Sequence, residues 1–212
     1  MAELGFLTLW EKPVLRCRQI KPAQVEKPLV LNAHQQRAYE GLNRQMGQDA
    51  PGAALLYGVT GSGKTAVYIS LIRKCLEADK QAMLLVPEIA LTPQMMARFT
   101  AYFGDEVALL HSGLRMSERY DQYKRIRRGE AHIVLGTRSA VFAPLENLSL
   151  IVLDEEQESS YESEHAPSYH ARDIAKYRCV QEGARLLLGS ATPSISLPST
   201  AVGIPFSKWM VT

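Results

Sequence analysis

Gly58-Val59-Thr60-Gly61-Ser62-Gly63-Lys64-Thr65 fits the spacing G-x-x-x-x-G-K-[ST]. That spacing wraps backbone N–H groups around phosphate oxygens, because glycine lets the chain approach closely and a following helix adds its positive end. Lys64 then supplies a point charge to the β and γ phosphates, and Thr65 a hydroxyl to magnesium. Downstream, Leu150-Ile151-Val152-Leu153-Asp154-Glu155-Glu156-Gln157 is an apolar run ending in three adjacent acids. Such acids repel one another unless cations lie near. Asp154 suits a magnesium-holding role, and Glu155 suits orienting and deprotonating an attacking water.

Further segments offer weaker signals. Gly189-Ser190-Ala191-Thr192-Pro193 puts small hydroxyl residues at a strand end, where they can relay a hydrogen-bond change away from the acids. Val86-Pro87-Glu88-Ile89-Ala90-Leu91-Thr92-Pro93-Gln94 and Gly136-Thr137-Arg138-Ser139-Ala140 also follow strand patterns. Pro87, Thr92, Gln94, Thr137, Arg138 and Ser139 are therefore candidates for holding a sugar-phosphate strand without reading its sequence. Lys124, Arg125, Arg127 and Arg128 form a basic helix end, a pattern that helix electrostatics alone explains. His111 and Ser112 are read either as a further contact or as a turn.

The elements that must position these groups are legible as a beat of short apolar runs and longer amphipathic ones. The apolar runs are Ala53 to Tyr57, Ala82 to Val86, Val107 to Leu110, His132 to Leu135, Leu150 to Leu153 and Arg185 to Leu188. They do not alternate, which suits strands buried on both faces. Helical candidates are Leu31-Asn32 to about Gln48, with Asn32 as N-cap, then Lys64 to Ala78, Thr92 to Phe103, Ser117 to Arg128 and Ala171 to Glu182. That order predicts an α/β fold with a mostly parallel sheet and helices on both faces. Residues 1–28 contain a strand candidate, Gly5 to Trp10, and a spacer with Pro13, Pro22 and Pro28. They read as the tail of an upstream module plus a linker. Residues 29–200 read as one domain, and residues 201–212 as an irregular C-terminal tail.

Composition sets outer limits. The 212 residues are 46% apolar, ample for a buried core, and the net charge of +2 neither demands nor excludes nucleic acid. Cys17, Cys75 and Cys179 share no CxxC spacing and read as reduced thiols. No apolar run approaches the roughly 20 residues that span a bilayer, and no signal-peptide plan is present. No membrane partner is expected.

Taken in order, GVTGSGKT, LVPEIALTPQ, LLHSGL, GTRSAVFAP, IVLDEEQESSY, YHARD and GSATPS closely resemble the PriA family of replication-restart helicases, within helicase superfamily 2. The likeness covers residues 29 to 197. It implies a RecA-like P-loop domain, the first lobe of an ATP- and Mg2+-dependent motor moving 3′ to 5′ on single-stranded DNA at stalled forks. By position Gln35 matches an adenine-contacting glutamine. Gly58, Thr60, Gly61, Ser62, Gly63, Lys64 and Thr65 match the nucleotide site, with Lys64 and Glu155 catalytic and Thr65 and Asp154 on the metal. Gln157, Ser190, Ala191 and Thr192 match the coupling elements. Ser159 to His170 matches an aromatic loop that links DNA contact to hydrolysis, which adds Tyr161 and Tyr169 as DNA contacts. The implied partners are single-stranded and forked DNA, a second motor lobe, primosome proteins and single-strand-binding proteins, in a bacterial, nucleoid-associated cytoplasmic setting.

The sequence departs from the family in places. Gln157 stands where many relatives carry histidine, and Pro167 where some carry tryptophan. The second lobe, its arginine finger and the zinc-binding cysteine cluster lie outside this sequence, so no zinc is expected in it, and the lone lobe is expected to turn ATP over poorly. Two other readings stay open: a different P-loop DNA translocase or ATPase, and a catalytically silent nucleotide- or DNA-binding fragment.

Overall fold

The computed structural model describes residues 29–46, 52–163, 166–192 and 206–211. The strand candidate at Gly5 to Trp10, the proline-rich spacer, Cys17 and Pro193 lie outside the described residues. Among the described residues, five α-helices, α1 (Ala33–Met46), α2 (Lys64–Glu77), α3 (Pro93–Phe103), α4 (Met116–Arg127) and α5 (Ala171–Glu182), flank a seven-stranded sheet. Its strands are β1 (Gly52–Tyr57), β2 (Gln81–Leu85), β3 (Val107–Leu110), β4 (Ile133–Gly136), β5 (Leu148–Leu153), β6 (Arg185–Ser190) and β7 (Phe206–Met210). They run in the order β3-β4-β2-β5-β6-β1-β7, and every pairing is parallel.

The unalternated strands have the cause expected of them. Leu84 and Val152 face one core cluster with α1, α2 and α3, while Met83 and Ile151 face the other with α4 and α5. Both faces are therefore covered, and a parallel sheet with covered faces takes apolar residues at every position. Helix starts follow local chemistry. Asn32 Oδ1 accepts from the N–H of Gln35 at 2.9 Å, and Gln35 Oε1 accepts from the N–H of Asn32 at 2.9 Å. This reciprocal cap satisfies N–H groups that the helix cannot. Thr92 caps α3 through Met95, with Pro93 at its first position.

The C-terminal segment corrects one expectation. The sequence predicts an irregular tail over 201–212, yet Phe206–Met210 pairs along β1 from Ala53↔Phe206 to Tyr57↔Met210. Beyond it the N–H of Val211 donates to the carbonyl of Tyr57 at 2.8 Å, and Val211 is fully buried. A five-residue strand carries little periodicity of its own; its partner's open edge decides it.

Because all strands are parallel, the segments after β1, β2, β4, β5 and β6 emerge at one edge of the sheet. That edge, beyond the strands' carboxyl ends, is where open α/β sheets take ligands.

Candidate nucleotide-binding site

The glycine loop joins β1 to α2 in this edge. Gly61 and Gly63 have φ of +84° and +83°, a region that side chains rarely occupy. Gly63 is the N-cap of α2 and offers no side-chain cap, so the first-turn N–H groups of α2 are not consumed by one. Ser62 Oγ is buried without a hydrogen-bond partner among the described residues. Positive-φ glycines, an uncapped helix start and an orphaned hydroxyl fit a bound triphosphate. Two neighbours brace the loop: Gln35 Nε2 donates to the carbonyl of Ser62 at 3.0 Å, and the carbonyl of Val211 lies where a side chain on Gly58 would have to go. Gln35, expected at the adenine, is thus placed against the phosphate loop, with one amide proton and one lone pair still to offer.

Lys64 is 6% exposed; its Nζ donates to the carbonyl of Gly58 at 2.8 Å and pairs with Glu155 Oε1 at 3.2 Å. Of the three adjacent acids, two meet a cation and one a phenol. Asp154 Oδ1 accepts from the Tyr68 hydroxyl at 2.8 Å. Glu155 takes Lys64 and also accepts from Gln157 Nε2 at 3.0 Å. Glu156, with a fully buried side chain, pairs with Arg172 at 3.1 Å. Splitting three successive side chains this way needs a sharp turn, and Glu155 makes it at φ +46°, uncommon for a residue with a side chain.

The surroundings pull the first two carboxyls apart. Burial raises Asp154 above the ordinary carboxylate range, and the Tyr68 hydrogen bond only partly offsets it. Burial pushes Glu155 the same way, but the Gln157 hydrogen bond and the Lys64 charge outweigh it, so Glu155 ends below its usual value. Thr65 is half-buried on the first turn of α2. With Asp154 it supplies the hard oxygen donors that suit magnesium.

A relay leads outward from Glu155. Gln157 Oε1 accepts from Ser190 Oγ at 2.7 Å, and Ser190 Oγ accepts from the N–H of Thr192 at 3.0 Å. The N–H of Ala191 reaches Glu155 Oε2 at 3.3 Å. Gln157, Ser190, Ala191 and Thr192 are therefore in one hydrogen-bonded chain with Glu155.

The expected DNA contacts divide. Thr92 and Gln94 are exposed, and Ser139 and Tyr169 half-buried. Pro87, Thr137 and Tyr161 are buried, so their side chains are not offered on the surface as the other candidates are. Tyr161 instead places its hydroxyl 2.7 Å from the carbonyl of Asp154 and 3.0 Å from that of Leu85. Arg138 donates to the carbonyls of Ser160 and Glu162, tying its segment to the loop that carries Tyr161. In the basic helix end, Arg125 donates to the carbonyls of Asp105 and Val107, a structural use. Tyr68 and Arg172 had no functional reading in the sequence. Tyr68 sits in the apolar stretch of α2 and reads as core there, and Arg172 lies in the YHARD block some fifteen residues past the acid that it serves.

A DEAD/DEAH box helicase family model matches residues 32–199. The chain belongs to that family. It is 47% identical over 177 residues to replication restart protein PriA of Bacillus subtilis (strain 168), covering 84% of this chain and 22% of that protein. It is 44% identical over 170 residues to replication restart protein PriA of Haemophilus influenzae, covering 80% of this chain and 23% of that protein. The chain thus spans less than a quarter of the length of these relatives. Among solved structures, RecG bound to a three-way DNA junction superposes with TM-score 0.63 at 25% identity, covering 88% of this chain and 25% of that one. The Hef helicase domain of Pyrococcus furiosus shares the fold, with TM-score 0.59 at 20% identity over 85% of this chain and 38% of that one. The RecA-like α/β expectation and the PriA resemblance both hold. Among the described residues, no helix is long and apolar enough to cross a membrane, and no three His, Cys, Asp or Glu side chains group as a metal site.

Proposed function

We propose that this chain is the ATP-binding motor lobe of a PriA-type DNA helicase acting in replication restart at stalled forks. It couples ATP hydrolysis to 3′ to 5′ movement on single-stranded DNA. The observation that carries the reading is the continuous chain Lys64–Glu155–Gln157–Ser190, which joins a phosphate loop to a coupling segment through 3.2, 3.0 and 2.7 Å contacts. A protein that only holds nucleotide has no need of a relay leaving the hydrolytic carboxylate.

In this reading the loop N–H groups, Ser62 and Lys64 bind the phosphates, and Thr65 and Asp154 hold Mg2+. The metal supplies charge neutralisation on the phosphates. Glu155, ionised at neutral pH, orients the water and takes its proton. Gln35 keeps the amide proton and lone pair that an adenine edge requires. Thr92, Gln94, Ser139 and Tyr169 hold the strand at the same edge of the sheet. A branched DNA substrate is supported by the RecG likeness, and a replication-restart role by the PriA likeness; the primosome and single-strand-binding proteins are partners that the sequence resemblance implies. Nucleotide in such motors lies between two lobes, so this chain alone binds ATP weakly and turns it over slowly.

The test is Mg2+-ATP binding and hydrolysis by the 212-residue chain, with and without single-stranded DNA, against Lys64→Ala and Glu155→Gln. Lys64→Ala is expected to abolish binding and Glu155→Gln to abolish turnover while sparing binding. If both variants match the parent, the site is misassigned; full DNA-stimulated turnover by this chain alone overturns the single-lobe reading.

A further inference from the structure

We propose that Tyr68 is a positioning residue for the Asp154 carboxylate, locking it in register with Lys64 and Thr65 so that the three act on one metal–nucleotide complex. The proposal rests on the reading of Asp154 as the magnesium-holding acid. Tyr68 lies one turn beyond Lys64 on α2, so the helix that presents the lysine and the threonine also delivers the phenol. Its side chain is fully buried, and its hydroxyl donates to Asp154 Oδ1 at 2.8 Å. A phenylalanine fills the same apolar slot, so packing alone gives no reason for the hydroxyl.

Two further features are built around this contact. A side chain on Gly189 would place its first carbon 1.8 Å from the Tyr68 hydroxyl and 2.8 Å from Asp154 Oδ1. The bare glycine at the end of β6 is what lets the phenol and carboxylate meet. On the opposite face of the sheet, Tyr161 is also fully buried and holds the main-chain carbonyl of Asp154 at 2.7 Å. One tyrosine thus fixes the side chain and the other the backbone of the same acid. Outer partners that orient a metal-holding group change metal affinity about 10- to 100-fold when removed.

The test uses the 212-residue chain and a fluorescent ATP analogue, titrated in EDTA and against rising Mg2+. Tyr68→Phe is expected to raise the Mg2+ concentration for half-maximal metal-dependent binding about tenfold. It leaves affinity in EDTA unchanged, a split that a packing role does not produce. Gly189→Ala, which crowds the phenol without removing it, is expected to shift the Mg2+ requirement the same way. The double variant should be no worse than Gly189→Ala alone. Asp154→Asn separates the two readings. If Asp154→Asn raises the Mg2+ requirement and Tyr68→Phe does not, the tyrosine assignment is overturned while the site stands. If neither moves it, both fall.

Discussion

Replacing Gln157 with alanine tests whether the relay is an energetic unit. The substitution removes the hydrogen bond from Gln157 Nε2 to the Glu155 carboxylate at 3.0 Å and the bond that Oε1 accepts from Ser190 at 2.7 Å. A bond to a charged group contributes about 1.5–3 kcal/mol and a neutral one about 1 kcal/mol. Gln157 is half-buried and water replaces part of the first bond, so the expected loss is about 2 kcal/mol in total. For a chain of this size that is about 4–8 °C in Tm. Ser190→Ala removes the shared bond from the other side and the bond from the Thr192 N–H, which water replaces because Thr192 is exposed, for about 1 kcal/mol. Because the two variants break one bond in common, the double variant should cost about 1 kcal/mol less than their sum. The assay is urea unfolding at pH 7 with the m-value held constant. Folding holds Glu155 below its usual pKa, so its contribution is present above the unfolded value of about 4.5 and is lost as pH falls through the lowered one. The Gln157→Ala difference should therefore shrink in acid. Additivity within about 0.3 kcal/mol refutes the relay.

Two more outcomes follow from buried groups. Arg172→Met leaves the fully buried Glu156 carboxylate without its 3.1 Å partner and should cost about 3 kcal/mol in denaturant unfolding. Adding Glu156→Gln should recover much of that loss; simple additivity refutes the pairing. Burial pushes the Cys75 thiol up to about 11 and raises Cys179, Tyr68 and Tyr161 as well. Each is an acid raised by folding, so its contribution is full below the unfolded pKa and is lost as pH rises, with the urea midpoint falling between about pH 9 and 11. A flat midpoint across that window contradicts the burial.

The Lys64–Glu155 ion pair joins two segments that are each legible on their own. The phosphate loop was readable because its chemistry is carried by consecutive residues, and a strand before and a helix after complete its context within one stretch of chain. The acids after β5 were readable for the same reason, as were the strands, whose covered faces write continuous apolar runs. Position after a strand does not fix exposure, because burial is a property of neighbours: Thr92 and Gln94 are exposed, while Pro87, Thr137 and Tyr161 are buried.

The sequence by itself determined the α/β class and the order of its main elements, and it singled out Lys64, Thr65, Asp154 and Glu155 as the candidate site. Local periodicity and contiguous motifs carry those. Only the tertiary structure decided which acid meets which partner, because Asp154 reaches back 86 positions to Tyr68 and Glu156 forward 16 to Arg172. It also decided that Phe206–Met210 is a strand, since parallel pairing depends on the edge that β1 leaves open. Contacts of that range depend on the packed sheet bringing distant residues together, and no local pattern in the chain records them.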